Sequence, residues 1–259
     1  MNTIVAICGI VIKELYRRKD FYVLFVLTAI ITLALGSVSF FNDPKIARYL
    51  KEIVMLLIWV AALVIAVTMT ARQIPAEREN RTIFPLLAKP VTRGQVIAGK
   101  FLGCWLACGL ALAVFYLFFG VVSGAREHAW PVLNYFQGFW LQWVMLGIVV
   151  GLVLLGSVVF TAPSSNTTIT LVIVVGILLL GGHLNRLALQ QAEPFRTFIY
   201  TIYFLIPHLE WYDVRDLMVY DHPLVPWVDC VLATLYAAVY ISLLLVGTWA
   251  VFRRKAVNV

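Results

Sequence analysis

Six apolar runs recur along the chain, at residues 21–41, 53–71, 101–122, 139–160, 167–182 and 230–252, the fifth being the shortest. A helix of about 20 apolar residues crosses a bilayer core of roughly 30 Å, so runs of this length are read as membrane spans. They are apolar on every face, whereas barrel strands alternate apolar with polar residues. Backbone groups that meet no water must bond inside their own segment, and a helix does so. The expectation is an all-α integral membrane protein with six transmembrane helices in a single domain over residues 1–259.

Composition removes the competing classes. Hydrophobic residues make up 62% of the chain and charged residues 13%, against about 25% charged in soluble domains. Neither a soluble enzyme nor a disordered chain is built this way. Four cysteines are too few for a disulfide framework and are read as small packing residues. The net charge of +7 would suit a phosphate-binding surface. Its distribution does not: the basic residues cluster beside the apolar runs, so lipid and not nucleic acid is the expected partner. Thirteen Lys and Arg fall on the side of the termini and of residues 73–100, and seven on the other. Positive charge prefers the cytoplasm, which predicts a multi-pass protein of the cell (inner) membrane with both termini cytoplasmic.

Ahead of the first span, Ile4, Ile7, Val11 and Leu15 recur at spacings of three and four, with Lys13, Arg17 and Arg18 off that stripe. The pattern predicts an interfacial helix over residues 3–19 whose apolar stripe sits in the lipid boundary, with Lys13, Glu14, Arg17 and Arg18 as its polar residues. A plain extension of the first span is the other reading. No small-residue cleavage site follows, so the stretch is not read as a signal peptide.

Residues 73–100 form the most polar segment on the side assigned to the cytoplasm. Pro75 suits the first turn of a helix, and Glu77 and Glu79 place negative charge near that helix's N-terminus. Pro85 then interrupts and Pro90 closes the following stretch, because a proline disfavours α geometry in the residue before it. Thr92 with Gln95 makes a capping-box pattern, so a new helix starts near Arg93 and runs through Lys100 into the third span.

These residues carry a resemblance. Glu77-Arg78-Glu79-Asn80-Arg81-Thr82, then Leu86-Leu87-Ala88-Lys89-Pro90-Val91-Thr92-Arg93, then Gly99-Lys100-Phe101-Leu102-Gly103 resemble the first cytoplasmic loop of ABC-2 type permeases, the membrane subunits of ABC exporters. Arg81 stands where that family usually has glycine, and Pro85 is extra. Lys13-Glu14-Leu15 followed by Arg17-Arg18 is similar to the family's pre-membrane segment. Pro207-His208-Leu209-Glu210-Trp211-Tyr212-Asp213 is similar to a segment of permeases grouped with multicopper-enzyme maturation systems. The resemblance implies a permease subunit that moves its substrate with energy from a separate ABC ATP-binding subunit. It implies pairing with a second copy or a homologous permease, and no catalysis on this chain, ATP and Mg²⁺ residing on the partner. It also implies that Glu77, Glu79, Thr82, Pro90 and Arg93 form the ATPase-coupling surface. A solvated connector is the plainer reading of the same loop. A membrane scaffold that matures an exported enzyme without carrying solute is the alternative from another functional class.

Other signals are weaker. Gly94 to Lys100 nearly spells a phosphate-binding loop, but Phe101 stands where a hydroxyl must bind Mg²⁺ and no strand precedes it. Ser157 has no Gly-x-Ser-Gly context and no histidine in the sixth span to act as base. Asn166-Thr167-Thr168 is a sequon at a turn on the cytoplasmic side and is read as a helix start. Gly99 with Gly103, and Gly147 with Gly151, suit close helix packing, within the chain or between copies. His128, His183, His208 and His222 lack zinc-like spacing and are read as solvated, with no metal site expected. The outer segment 183–228 contains an apolar stretch at 195–207, too short to span, expected to lie in the interface or to re-enter. Tyr200, Tyr203, Trp211, Tyr212 and Trp227 are expected in the aromatic belt.

Overall fold

The computed structural model describes residues 2–17, 19–37, 44–79, 91–127, 130–190, 192–220 and 223–254. Among these residues all regular structure is helical: α1 (Asn2–Arg17), α2 (Lys19–Ser37), α3 (Pro44–Ala71), α4 (Pro75–Glu79), α5 (Arg93–Glu127), α6 (Val132–Val159), α7 (Pro163–Gln190), α8 (Phe195–Leu205), a 3-10 turn (Leu209–Tyr212), α9 (Arg215–Val219) and α10 (Trp227–Arg254). Five stretches, Lys51–Glu79, Arg93–Ala125, Val132–Val159, Pro163–Gly181 and Trp227–Arg254, are long and apolar enough to cross a membrane. The run at 21–41 contributes the shorter apolar stretch Phe21–Leu33 of α2; its last four residues lie outside the described ones. Several helices outrun their apolar runs. α5 begins eight residues before Phe101, since backbone bonding continues into the polar boundary.

The spanning helices alternate in direction and define two ends. At the loop end lie the end of α3, α4, the start of α5 and the end of α10; at the far end lie α8, α9 and the start of α10. α6 is the hub, packed against α3, α5, α7 and α10. Its spanning window is 72% buried, against 11% for α10, so α6 is the core and α10 its apolar rim.

Lipid solvates apolar side chains as well as protein does, so helix association in a membrane rests on close packing and on polar groups. α5 and α6 use both. The indole of Trp105 donates to the Trp143 carbonyl at 2.9 Å and that of Trp143 to the Trp105 carbonyl at 3.0 Å, with the rings stacked 4.7 Å apart. One turn beyond each tryptophan is a glycine. A Cβ on Gly109 would strike Trp143, and one on Gly147 would lie 3.0 Å from the Trp105 indole nitrogen. Each helix thus makes room for the other's indole.

The remaining glycine spacings also serve this chain's own helices. A Cβ at Gly99 would lie 2.9 Å from Ile7, and one at Gly103 2.7 Å from Val11. This corrects the sequence reading of α1: Ile7 and Val11, placed there in the lipid boundary, are buried in the α5 groove, while Val5 and Ile10 are exposed. Gly151 meets Leu244 of α10.

Asn166 is a second correction. α7 starts three residues earlier, at Pro163. The fully buried Asn166 amide donates to the carbonyls of Ala71 and Val153, both at 3.3 Å, and accepts from Thr170, joining three helices instead of capping one.

Candidate functional site

Two places concentrate polar chemistry, one at each end of the bundle. At the loop end, α3 stops at Ala71, a turn covers residues 72–74, and α4 runs from Pro75 with Glu77 in its first turn. Across from it, Thr92 and Gln95 make the reciprocal capping bonds: the Thr92 N–H donates to Gln95 Oε1 at 3.0 Å and the Gln95 N–H to Thr92 Oγ1 at 3.3 Å. α5 therefore starts at Arg93, and Gly94–Lys100 is helix, not a loop able to wrap phosphate.

Seven residues into α5, the Lys100 ammonium points back toward the α3–α4 turn. It donates to the Gln73 carbonyl at 2.9 Å, to Gln73 Oε1 at 3.3 Å and to Glu77 Oε1 at 2.8 Å. Three donors meet three acceptors, which is what lets a lysine sit at 2% exposure. The Gln73 amide nitrogen in turn donates to Glu14 Oε2 of α1 at 3.0 Å. The buried cation therefore joins the α3–α4 elbow to the start of a spanning helix, and the Gln73 side chain links that pair to the N-terminal helix.

Of the residues singled out from sequence, Glu77 and Glu14 meet here, while Glu79 is exposed at the end of α4 and Lys13 and Arg17 are exposed on α1. Arg93 is engaged elsewhere: its guanidinium donates to the carbonyls of Phe252 and Arg253 at 3.0 and 2.9 Å and lies 5.6 Å from the Phe252 ring centroid. It closes the free carbonyl end of α10 and complements that end of the helix dipole. Arg18, Thr82 and Pro90 lie outside the described residues. Sequence reasoning missed Lys100 and Gln73 as parts of this cluster. The available signal was an ionisable residue carried by a helix running straight into an apolar span.

The far end is aromatic. α8 packs back along α7, and the chain then returns alongside α10. The Tyr240 hydroxyl donates to the Phe204 carbonyl at 3.1 Å, the His208 N–H donates to the Tyr236 hydroxyl at 3.1 Å, and the Tyr212 hydroxyl donates to the Ala233 carbonyl at 2.7 Å. As residue numbers rise along this return segment they fall along α10, so the two run antiparallel. Gln137 of α6 pins the chain just before α10, donating to the Val225 carbonyl at 2.9 Å and accepting from its N–H at 3.1 Å. Arg215 is held by a two-pronged bond to Asp213, both contacts 2.7 Å, which raises its already high pKa.

His208 and Tyr212 correct the sequence reading. His208 is buried and packed against Tyr203, Trp211 and Tyr236. Burial pushes its pKa down, with Glu210 at 3.7 Å pulling the other way. Tyr212, expected in the belt, is also buried, whereas Trp211 and Trp227 are exposed. Among the described residues no group of three or more His, Cys, Asp or Glu side chains is arranged to hold a metal.

A bundle of long apolar helices, joined at one end through a buried cation beside a charged elbow, is a multi-pass membrane protein. The chain matches the ABC-2 family transporter protein model over residues 16–256 and belongs to that family, a membrane transport component and not itself a catalytic enzyme. Association with an ABC ATP-binding subunit follows from that membership; the match is to the family as a whole and does not single out the multicopper-maturation group. No curated protein matches the chain.

Proposed function

We propose that this chain is the permease subunit of an ABC-2 type transporter, moving its substrate with energy from ATP and Mg²⁺ held on a separate subunit. The loop end faces the cytoplasm of a cell whose inner membrane holds the bundle, both termini lie inside, and two copies form the pathway. The observation that carries this reading is the Lys100 cluster. An elbow joined to α5 through one buried ammonium, and to α1 through Gln73, cannot be displaced alone, so a push on it shifts the spanning helices as well. ATP acts only by binding one state of that assembly better than the other.

In this reading Glu79, with Thr82 and Pro90, meets the ATP-binding subunit. Glu77 works on the inside, passing the displacement to Lys100, and Arg93 keeps α10 in step. Exposed Lys13 and Arg17, together with Arg18, support an α1 lying at headgroup depth. The far segment is re-entrant. Phe204, its deepest bonded residue, is level with Tyr240, about 20 Å along α10 at 1.5 Å per residue.

The test is reconstitution with the ATP-binding subunit. Glu79→Lys is expected to weaken copurification of the two chains. Lys100→Met is expected to leave copurification intact while hydrolysis no longer drives transport. Unchanged assembly and transport in both variants refutes the assignment, as does labelling of a cysteine at position 79 from outside intact cells.

A further inference from the structure

A cavity of about 490 Å³ opens at the far end between α6, the return segment and the start of α10. Its size is that of a small-molecule site. Trp211 and Tyr236 line one side, with ring centroids 5.2 Å apart and planes inclined at 47°. Leu141, Val225 and Leu232 add apolar surface, and among the lining residues Asp229 alone carries a charge. Asp229 stands in the first turn of α10, two turns before Tyr236 and about 10 Å from it along the helix. Trp211 is 52% exposed, so its ring is open to a ligand.

We propose that this cavity binds a lipophilic organic cation, an ammonium or phosphonium centre bearing apolar substituents. Aromatic faces attract a cation and repel an anion, and the attraction grows as water is excluded. A carboxylate at the same cavity adds charge of the right sign, and the remaining walls reward apolar substituents. A metal ion is a poor occupant, because one carboxylate supplies too few oxygens for a hard cation. Asp229 also complements the positive end of the α10 dipole. That role accounts for an acid in the first turn but not for two aromatic rings lining the same hollow.

The probe is radiolabelled tetraphenylphosphonium, with tetraphenylborate as its near-isosteric anion, on the full chain in lipid nanodiscs. Only the portion displaced by excess unlabelled ligand, above empty discs, is counted. Saturable binding of the cation and none of the anion is expected. Asp229→Asn weakens the cation about tenfold, the scale of one opposite charge a few ångströms away near a water-exposed protein surface. Leu232→Trp, which fills the cavity and keeps the charge, abolishes binding. Asp216→Asn, an exposed acid that does not line the cavity, leaves it unchanged. Equal binding of the anion marks an apolar cleft filled by lipid chains and overturns the proposal. Cation binding that survives both Asp229→Asn and Leu232→Trp overturns it too.

Discussion

At the loop end three elements meet through Gln73 and one buried ammonium; at the far end the return segment is held to α10 by three tyrosine hydroxyls and a run of ring contacts. The two solutions fail differently. Removing one partner from a buried ion pair costs about 3–5 kcal/mol, since the other charge stays buried. A single neutral hydrogen bond contributes only about 1 kcal/mol. The linkage at the loop end therefore rests largely on one group, while the far end can lose one rung at a time.

The sharpest way to break the comparison is at Lys100. Lys100→Met is expected to cost about 3 kcal/mol, the lower part of the range for a buried pair, because the Glu77 side chain keeps 30% exposure. The double variant Lys100→Met, Glu77→Gln regains part of that loss. Thermal unfolding of the single and double variants in detergent measures the coupling. If the two losses simply add, the ammonium is not what binds the elbow to α5.

Tyr236→Phe is the matching change at the far end. It keeps the ring and leaves the buried His208 backbone N–H without its acceptor, for an expected cost of about 1–2 kcal/mol. Hydrogen exchange should rise in residues 204–212 and stay unchanged in residues 73–77. Spread of the effect to the loop end would dissolve the distinction between the two regions.

A smaller, pH-dependent effect separates them again. Burial holds the His208 pKa below its ordinary value, so the unfolded chain binds protons that the folded one refuses. The far end is then at full stability above the ordinary histidine pKa of about 6.5 and loses stability as pH falls through the lower folded value. Melting followed from pH 8 to pH 5 should show this loss, and His208→Asn should flatten it. A loss of equal size in His208→Asn places the titrating group elsewhere.

The all-helical class and five of the apolar spans were legible in the sequence because burial in lipid leaves the backbone one choice, and the Pro75 and Thr92 starts were legible because caps are local; the extensions of the helices beyond their apolar runs were not. Nor were the partners of those helices. Nothing in the spacing of Glu14, Gln73, Glu77 and Lys100 announces that they converge, since their meeting depends on how α1 seats in the Gly99–Gly103 groove. His208 misled for the same reason: in sequence it stands among loop residues, and only the return of the chain along α10 covers it.

The capping box gives the finest test of how local each interaction is. Its two bonds are exposed and lie within four residues, so Thr92→Ala is expected to cost about 1 kcal/mol or less. α5 runs on through 35 residues, and neither the Lys100 contacts nor the Arg93 clasp on α10 depends on the Thr92 hydroxyl. Exchange of the amides at 93–97 should therefore quicken while the melting temperature barely moves. A Thr92→Ala variant that melts as early as Lys100→Met would mean that the start of α5, and not the ammonium behind it, governs the loop end.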